Sequence, residues 1–158
     1  NDDTGSPGAS SFYKDMQKYA AKSAFDFENE NHYWCSSYGA EHPRFLWFRF
    51  HSAVKPRKIS FLPPLVKDPG YIQTHTPREI QIIGSDDCSS WTDITEVLLF
   101  GPPATVEDLR EAKVAAESLE DRSKRFRCVG MRMWQSELTS GGSLRSTCLR
   151  RVRIWVEV

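Results

Sequence analysis

SAFDFENENHYWCSSYGAEHPRFLWFRFHSAVKPRKISF, Ser23–Phe61, runs from a short apolar start at Ala24 and Phe25 through an acidic, amide-rich turn to Trp34. A small polar loop then leads into two strand-like runs. In Arg44–Phe50, Leu46, Phe48 and Phe50 share one side and Phe45, Trp47 and Arg49 the other, which is the period of two that a β-strand imposes. Apolar residues on both sides at its start predict a central strand. Lys58–Leu62 is the second run, with Pro56 expected just ahead of it because proline cannot donate to a β ladder.

Outward from this stretch the N-terminal side is poor in apolar residues. Asn1–Ser11 (NDDTGSPGASS) predicts a flexible tail, and Phe12, Met16 and Tyr19 predict a short amphipathic helix or an irregular segment packed on the fold. On the C-terminal side, Pro63–Pro77 carries four prolines and reads as a long loop. Strands are expected at Glu79–Gly84, Ile94–Phe100, Arg125–Ser136 and Cys148–Val158. The last has Val152, Ile154, Val156 and Val158 on one side and Arg151, Arg153, Trp155 and Glu157 on the other. Thr105 with Asp108 three residues on resembles a capping box, and Val106, Leu109, Ala112, Ala116 and Leu119 recur at helical spacing. A surface helix over about 106–120 is the expectation. The sum is one mainly β domain over 12–158, an antiparallel β-sandwich or jelly roll of seven or eight short strands with one inserted surface helix.

The order Ala24-Phe25-Asp26, polar turn, Trp34, small polar loop, Pro43, Leu/Phe-rich strand and a second strand with Lys58-Ile59 resembles the opening of a discoidin domain. Glu79–Trp91 (EIQIIGSDDCSSW) is similar to that family's block of strand, Gly-Ser, polar turn and Trp. The resemblance to this family, also called the coagulation factor type C domain, implies a galactose-binding-like β-sandwich over most of Ser23–Val158. It also implies structural roles for Trp34 and Trp91, and loops at one end of the sandwich that bind sugars, phospholipid head groups or protein.

Composition narrows the functional classes. Lysine plus arginine and aspartate plus glutamate number 21 each, so net charge steers the chain toward neither nucleic acid nor membrane. No apolar run approaches the ~18 residues that span a bilayer, so the chain reads as soluble with no transmembrane segment. Four cysteines (Cys35, Cys88, Cys128, Cys148) are too few for a disulfide scaffold and allow three pairings. Cys35 and Cys88 read as packed thiols, and the compartment stays open between extracellular and cytoplasmic. Blood-clotting members of the resembled family tie their domain ends with a disulfide, and this chain has no cysteine near either terminus to do so.

No nucleophile elbow, phosphate loop or metalloprotease helix motif occurs, so the chain is expected to be no enzyme. The turn Asp26, Glu28, Asn29, Glu30, Asn31 has the oxygen-rich composition of a calcium loop, with Asp26 and Asn31 as first ligands. In many sugar-binding relatives the equivalent turn holds a structural calcium. Here Phe27 stands where those relatives carry glycine, and His32 stands near their hydroxyl ligand, so no cofactor is expected to be required. The resemblance places ligand loops at 31–33, 38–44 and 86–90. Within them His32, Tyr38, His42 and Arg44 combine an aromatic face with directional donors, which sugar hydroxyls require, and predict binding of a glycan or cell-surface ligand. The alternative is a protein-interaction or scaffold domain. In that reading the partner docks on the inserted helix or on a basic patch formed by Arg132, Arg151 and Arg153, provided the last two strands pair. Nucleic acid is an unlikely partner, because few aromatic residues interleave the arginines.

Overall fold

The computed structural model describes residues 5–29, 31–37, 43–63, 75–99, 124–134 and 146–158, together with the backbone of 112–114. Its strands are β1 (Ser6–Ala9), β2 (Trp34–Cys35), β3 (Arg44–Leu62), β4 (Glu79–Ser85), β5 (Thr92–Asp93), β6 (Leu98–Leu99), β7 (Ala112–Val114), β8 (Phe126–Trp134) and β9 (Cys148–Glu157). Two single 3₁₀ turns, Tyr13–Asp15 and Gln17–Tyr19, and one helical turn, α1 (Ala21–Ala24), connect β1 to β2.

The two runs separated in the sequence reading join as β3, which belongs to both layers of the sandwich. Its first half pairs antiparallel with β8 and β1, from Arg44↔Met133 to Arg49↔Cys128 and from Ser6↔Arg49 to Ala9↔Leu46. Its second half pairs with β9 and β7, through Ile59↔Ile154 and Ile59↔Val114. The register slips between Arg49 and Val54, where the strand crosses from one layer to the other. Pro56 sits inside β3 opposite Val156 and not ahead of a strand, next to a second register shift that absorbs its missing N–H. β4 extends the first layer beyond β8, and β2 extends the second beyond β9.

Between the layers lie Leu46, Ile80, Ile82, Val129, Met131 and Met133 from one side and Ile59, Phe61, Leu149 and Val152 from the other. Trp34 closes this core without any exposed surface, its Nε1–H donating to the Ser11 carbonyl at 2.9 Å. The outward residues Phe45 and Trp47 are covered by Trp91, whose ring lies 6.1 Å from Phe45 and 5.5 Å from Trp47. That cover explains why β3 is apolar on both sides.

Four expectations are corrected. Residues 6–9, read as part of a flexible tail, form β1: a ladder needs only backbone donors and acceptors, and small side chains are what fit here. A Cβ on Gly8 would lie 2.5 Å from the Trp47 indole, and Gly5, at φ +125°, would place a Cβ 1.8 Å from the Arg49 carbonyl oxygen. The helix expected over 106–120 is instead a strand at Ala112–Val114, because the free edge of β3 at Ile59–Phe61 offers pairing that outweighs a local helical period; the rest of that span lies outside the described residues. Ile94–Phe100 is no continuous strand. β5 and β6 are two-residue bridges to β4, and between them the Thr95 hydroxyl accepts the Ile82 N–H while Gln81 Nε2 donates to the Thr95 carbonyl. Finally, the cysteines are no packed thiols: Cys35 bonds Cys148 across the β2–β9 ladder and Cys88 bonds Cys128.

Candidate functional site

Strand polarity defines two ends of the sandwich. At one end lie the start of β3, the end of β8, the start of β4 and the start of β9. Its floor is polar and buried. Arg44 has no exposed surface, and its Nη1 donates to the Thr147 hydroxyl at 3.0 Å. Ser36 and Thr147 exchange two further bonds, Ser36 N–H to the Thr147 carbonyl and Thr147 N–H to the Ser36 hydroxyl, both at 2.9 Å. Arg150 is buried as well and donates through Nε to the Pro63 carbonyl at 2.8 Å. Burial draws the Arg44 pKa down to about 10, because a low-dielectric surrounding disfavours the charged form, yet the group stays charged at neutral pH. Two buried guanidinium groups thus brace the segments 36–37, 43–44, 62–63 and 146–148 from which the loops at this end leave.

Arg44, expected from sequence as a ligand contact, therefore belongs to the buried floor and not to a displayed surface. The reason is its neighbour: Thr147, which leads into β9, accepts the Arg44 Nη1–H across the two layers. Tyr38 and His42 lie outside the described residues. Segment 86–90 does not join this end. Arg44 stands level with Met133 and Ile80, whereas Ser85 stands level with Cys128 and Arg49, five residues along the sheet, or about 17 Å at strand rise. That loop is ordered by Asp87, whose carboxylate accepts the Ser89 and Ser90 N–H groups and the Ser85 hydroxyl, which holds its pKa below the usual carboxylate value.

The acidic turn holds its own carboxylate. His32 Nδ1 donates to Asp26 Oδ2 at 2.6 Å, and Asn29 Nδ2 donates to His32 Nε2 at 3.1 Å, so both ring nitrogens are used. Asp26 Oδ1 accepts the N–H groups of Glu28 and Asn29, and Asn29 Oδ1 accepts that of Asn31. The His32 hydrogen bond, with these backbone donors, draws the Asp26 carboxyl below its usual value. These residues do not fit calcium: donor hydrogens face the oxygens a cation would need, and no group of three metal-ligating side chains converges among the described residues. No step is derived through a metal.

The three arginines of the anticipated basic patch do not share a face. β8 and β9 do not pair with each other, because each pairs with a different half of β3 in a different layer. Arg132 is bonded to Asp93 and Gln81 on the first layer. Arg153, on the second, lies over the Phe27 ring at 5.1 Å, and Arg151 adopts a positive φ of 47° at a register shift of β9.

With this geometry in hand, solved structures supply the comparison. The family 32 carbohydrate-binding module of Clostridium perfringens NanJ, in complex with galactose, superposes with a TM-score of 0.64 at 16% identity over 94% of this chain and 91% of that one. An F5/8 type C domain from Bacteroides fragilis gives 0.68 at 14% identity over 98% and 92%. The chitosan-binding module 1 of a Paenibacillus chitosanase/glucanase gives 0.60 at 13% identity over 96% and 95%. The fold is discoidin-like. No family model matches the sequence, and no curated protein matches it either. In this discoidin-like domain Trp34 is buried in the core, as the sequence blocks implied, and the two runs they placed at Arg44–Phe50 and Lys58–Leu62 are both within β3. The floor built by Arg44, Thr147 and Arg150 went unforeseen; the one signal for it was an arginine at the head of an otherwise apolar strand.

Proposed function

We propose that this discoidin-like domain is a non-catalytic module that recognises a glycan through the loops of the end braced by Arg44 and Arg150. The observation that carries the reading is the near full-length match to modules whose structures are described as galactose, GalNAc-β-1,3-galactose, chitosan or pectin binders. The rigid polar floor adds physical support, since a loop site needs a scaffold that does not move when ligand arrives. Tyr38 and His42 are the contacts proposed for the sugar, the phenol ring stacking on its C–H face and the imidazole bonding its hydroxyls. His32 is a weaker candidate, because both of its ring nitrogens are engaged in its own turn. The two disulfides support an oxidising, extracellular-type address, and no described helix is long and apolar enough to cross a membrane.

The test is a glycan-array screen of the folded protein, with and without a calcium chelator. Selective binding that persists with chelator and is lost in Tyr38→Ala or His42→Ala supports the reading. A folded protein that binds nothing on the array refutes it in favour of a protein-docking role.

A further inference from the structure

At the other end of the sandwich, where β3 leaves the first layer, a cavity of about 420 Å³ opens between β1, β3 and β8. Its wall is made by Gly5, Ser6 and Pro7 together with Arg49, Phe50, His51 and Arg127. That volume lies in the range of small-ligand sites. Its composition is unusual for this molecule. Two half-buried arginines elsewhere have carboxylate partners, Arg57 with Glu157 and Arg132 with Asp93. Arg49 and Arg127 have no carboxylate in reach among the described residues, and Arg127 Nε is shielded from solvent without an acceptor. Two guanidinium groups that line one cavity and have no carboxylate partner among the described residues form an electropositive recess, and a planar guanidinium suits carboxylate or sulfate oxygens in paired hydrogen bonds. Phe50 supplies an apolar wall at the same place.

We infer that the cavity of Arg49, Phe50 and Arg127 is a second binding site, for a sugar residue bearing an anionic substituent, either sulfate or carboxylate. An aromatic wall beside two guanidinium groups with no carboxylate partner among the described residues matches a ring with an apolar C–H face and one charged substituent. The site depends on β1, because strand addition at Ser6↔Arg49 builds its outer wall. It is independent of the loop-end reading: the register separates Arg49 from Arg44 by the length of the paired strand.

Isothermal titration at low salt with a heparin-derived sulfated hexasaccharide tests it, with the desulfated hexasaccharide that retains its carboxylates, neutral maltohexaose and a short oligothymidylate as comparators. The expected result is binding of the sulfated or the desulfated hexasaccharide, whichever carries the recognised group, with no heat from maltohexaose. Arg49→Ala and Arg127→Ala should each weaken binding about tenfold or more, as loss of a charge-assisted hydrogen bond does. Tyr38→Ala and His42→Ala should leave it unchanged, whatever they do to neutral glycans. The inference is overturned if neither acidic hexasaccharide binds or if the arginine variants, shown folded by circular dichroism, bind as the parent does. It is equally overturned if Tyr38→Ala removes the binding, or if the oligothymidylate binds as tightly with the same arginine dependence.

Discussion

Replacing Arg44 by alanine removes a buried guanidinium and leaves the Thr147 hydroxyl without its donor at the bottom of the loop end. Truncating a large buried side chain and orphaning a polar partner together cost about 3 kcal/mol, which in a domain of this length lowers Tm by about 6–12 °C. Scanning calorimetry checks this, and a shift under about 2 °C would mean that the group is solvated after all. The clasp between His32 and Asp26 leads to a different expectation at the same scale. A calcium ion at 100 times its Kd would add about 2.7 kcal/mol of stability. Since donor hydrogens already face the Asp26 oxygens, millimolar calcium should leave Tm where the chelator leaves it. A rise of several degrees would put a metal in the turn.

Among the elements, β1 and β3 carry the argument. Gly8→Val places a branched side chain against the Trp47 indole, so β1 should lift from the sheet while the core stays closed. Hydrogen exchange would report this as lost protection over residues 6–9 with the amides of β8 still protected, and unchanged protection of β1 would contradict the close approach. Strands were legible where side chains alternate against a buried layer, as in Leu46-Phe48-Phe50, Val129-Met131-Met133 and the run from Val152 onward. β1 was illegible because its pairing is made by backbone and its side chains are chosen for smallness. β7 was illegible because an alanine-rich period of 3.6 is a local signal, whereas the edge of β3 that captures Ala112–Val114 lies some fifty residues away in sequence. The anticipated arginine patch failed for a related reason: alternation places a side chain on a face, but only the sheet order says which layer that face belongs to.

Over the whole molecule, two covalent ties and three carboxylates set the conditions for folding. Cys35–Cys148 closes a loop of 113 residues and Cys88–Cys128 one of 40. In the chain-entropy treatment these contribute about 5 and about 4 kcal/mol respectively, so reduction should lower Tm steeply, and non-reducing peptide mapping should return these two pairs. Free thiols in the folded, unreduced protein would contradict the assignment. The carboxyls of Asp26, Asp87 and Glu157 are all held below their usual values, chiefly by His32, by the Ser90 and Ser89 N–H groups, and by Arg57. A carboxyl with a lowered pKa in the folded state stabilises the fold above its ordinary value, 3.8 for aspartate and 4.5 for glutamate, and that contribution fades as pH falls through the lowered one. Stability should therefore be flat from pH 7 to about 5 and decline below about 4 in acid titrations followed by circular dichroism.

The spacing of blocks around Trp34 and β3 made the discoidin-like sandwich readable from sequence, but not which side chains brace its loop end. The most direct test of the central claim is the affinity of the parent and of Tyr38→Ala and His42→Ala for the glycan that the array screen selects, measured by titration calorimetry with chelator present. The account predicts saturable binding by the parent and at least about a tenfold loss in each variant, the scale of removing one well-placed contact. Binding equal in all three proteins, or absent from a parent shown to be folded, would contradict it.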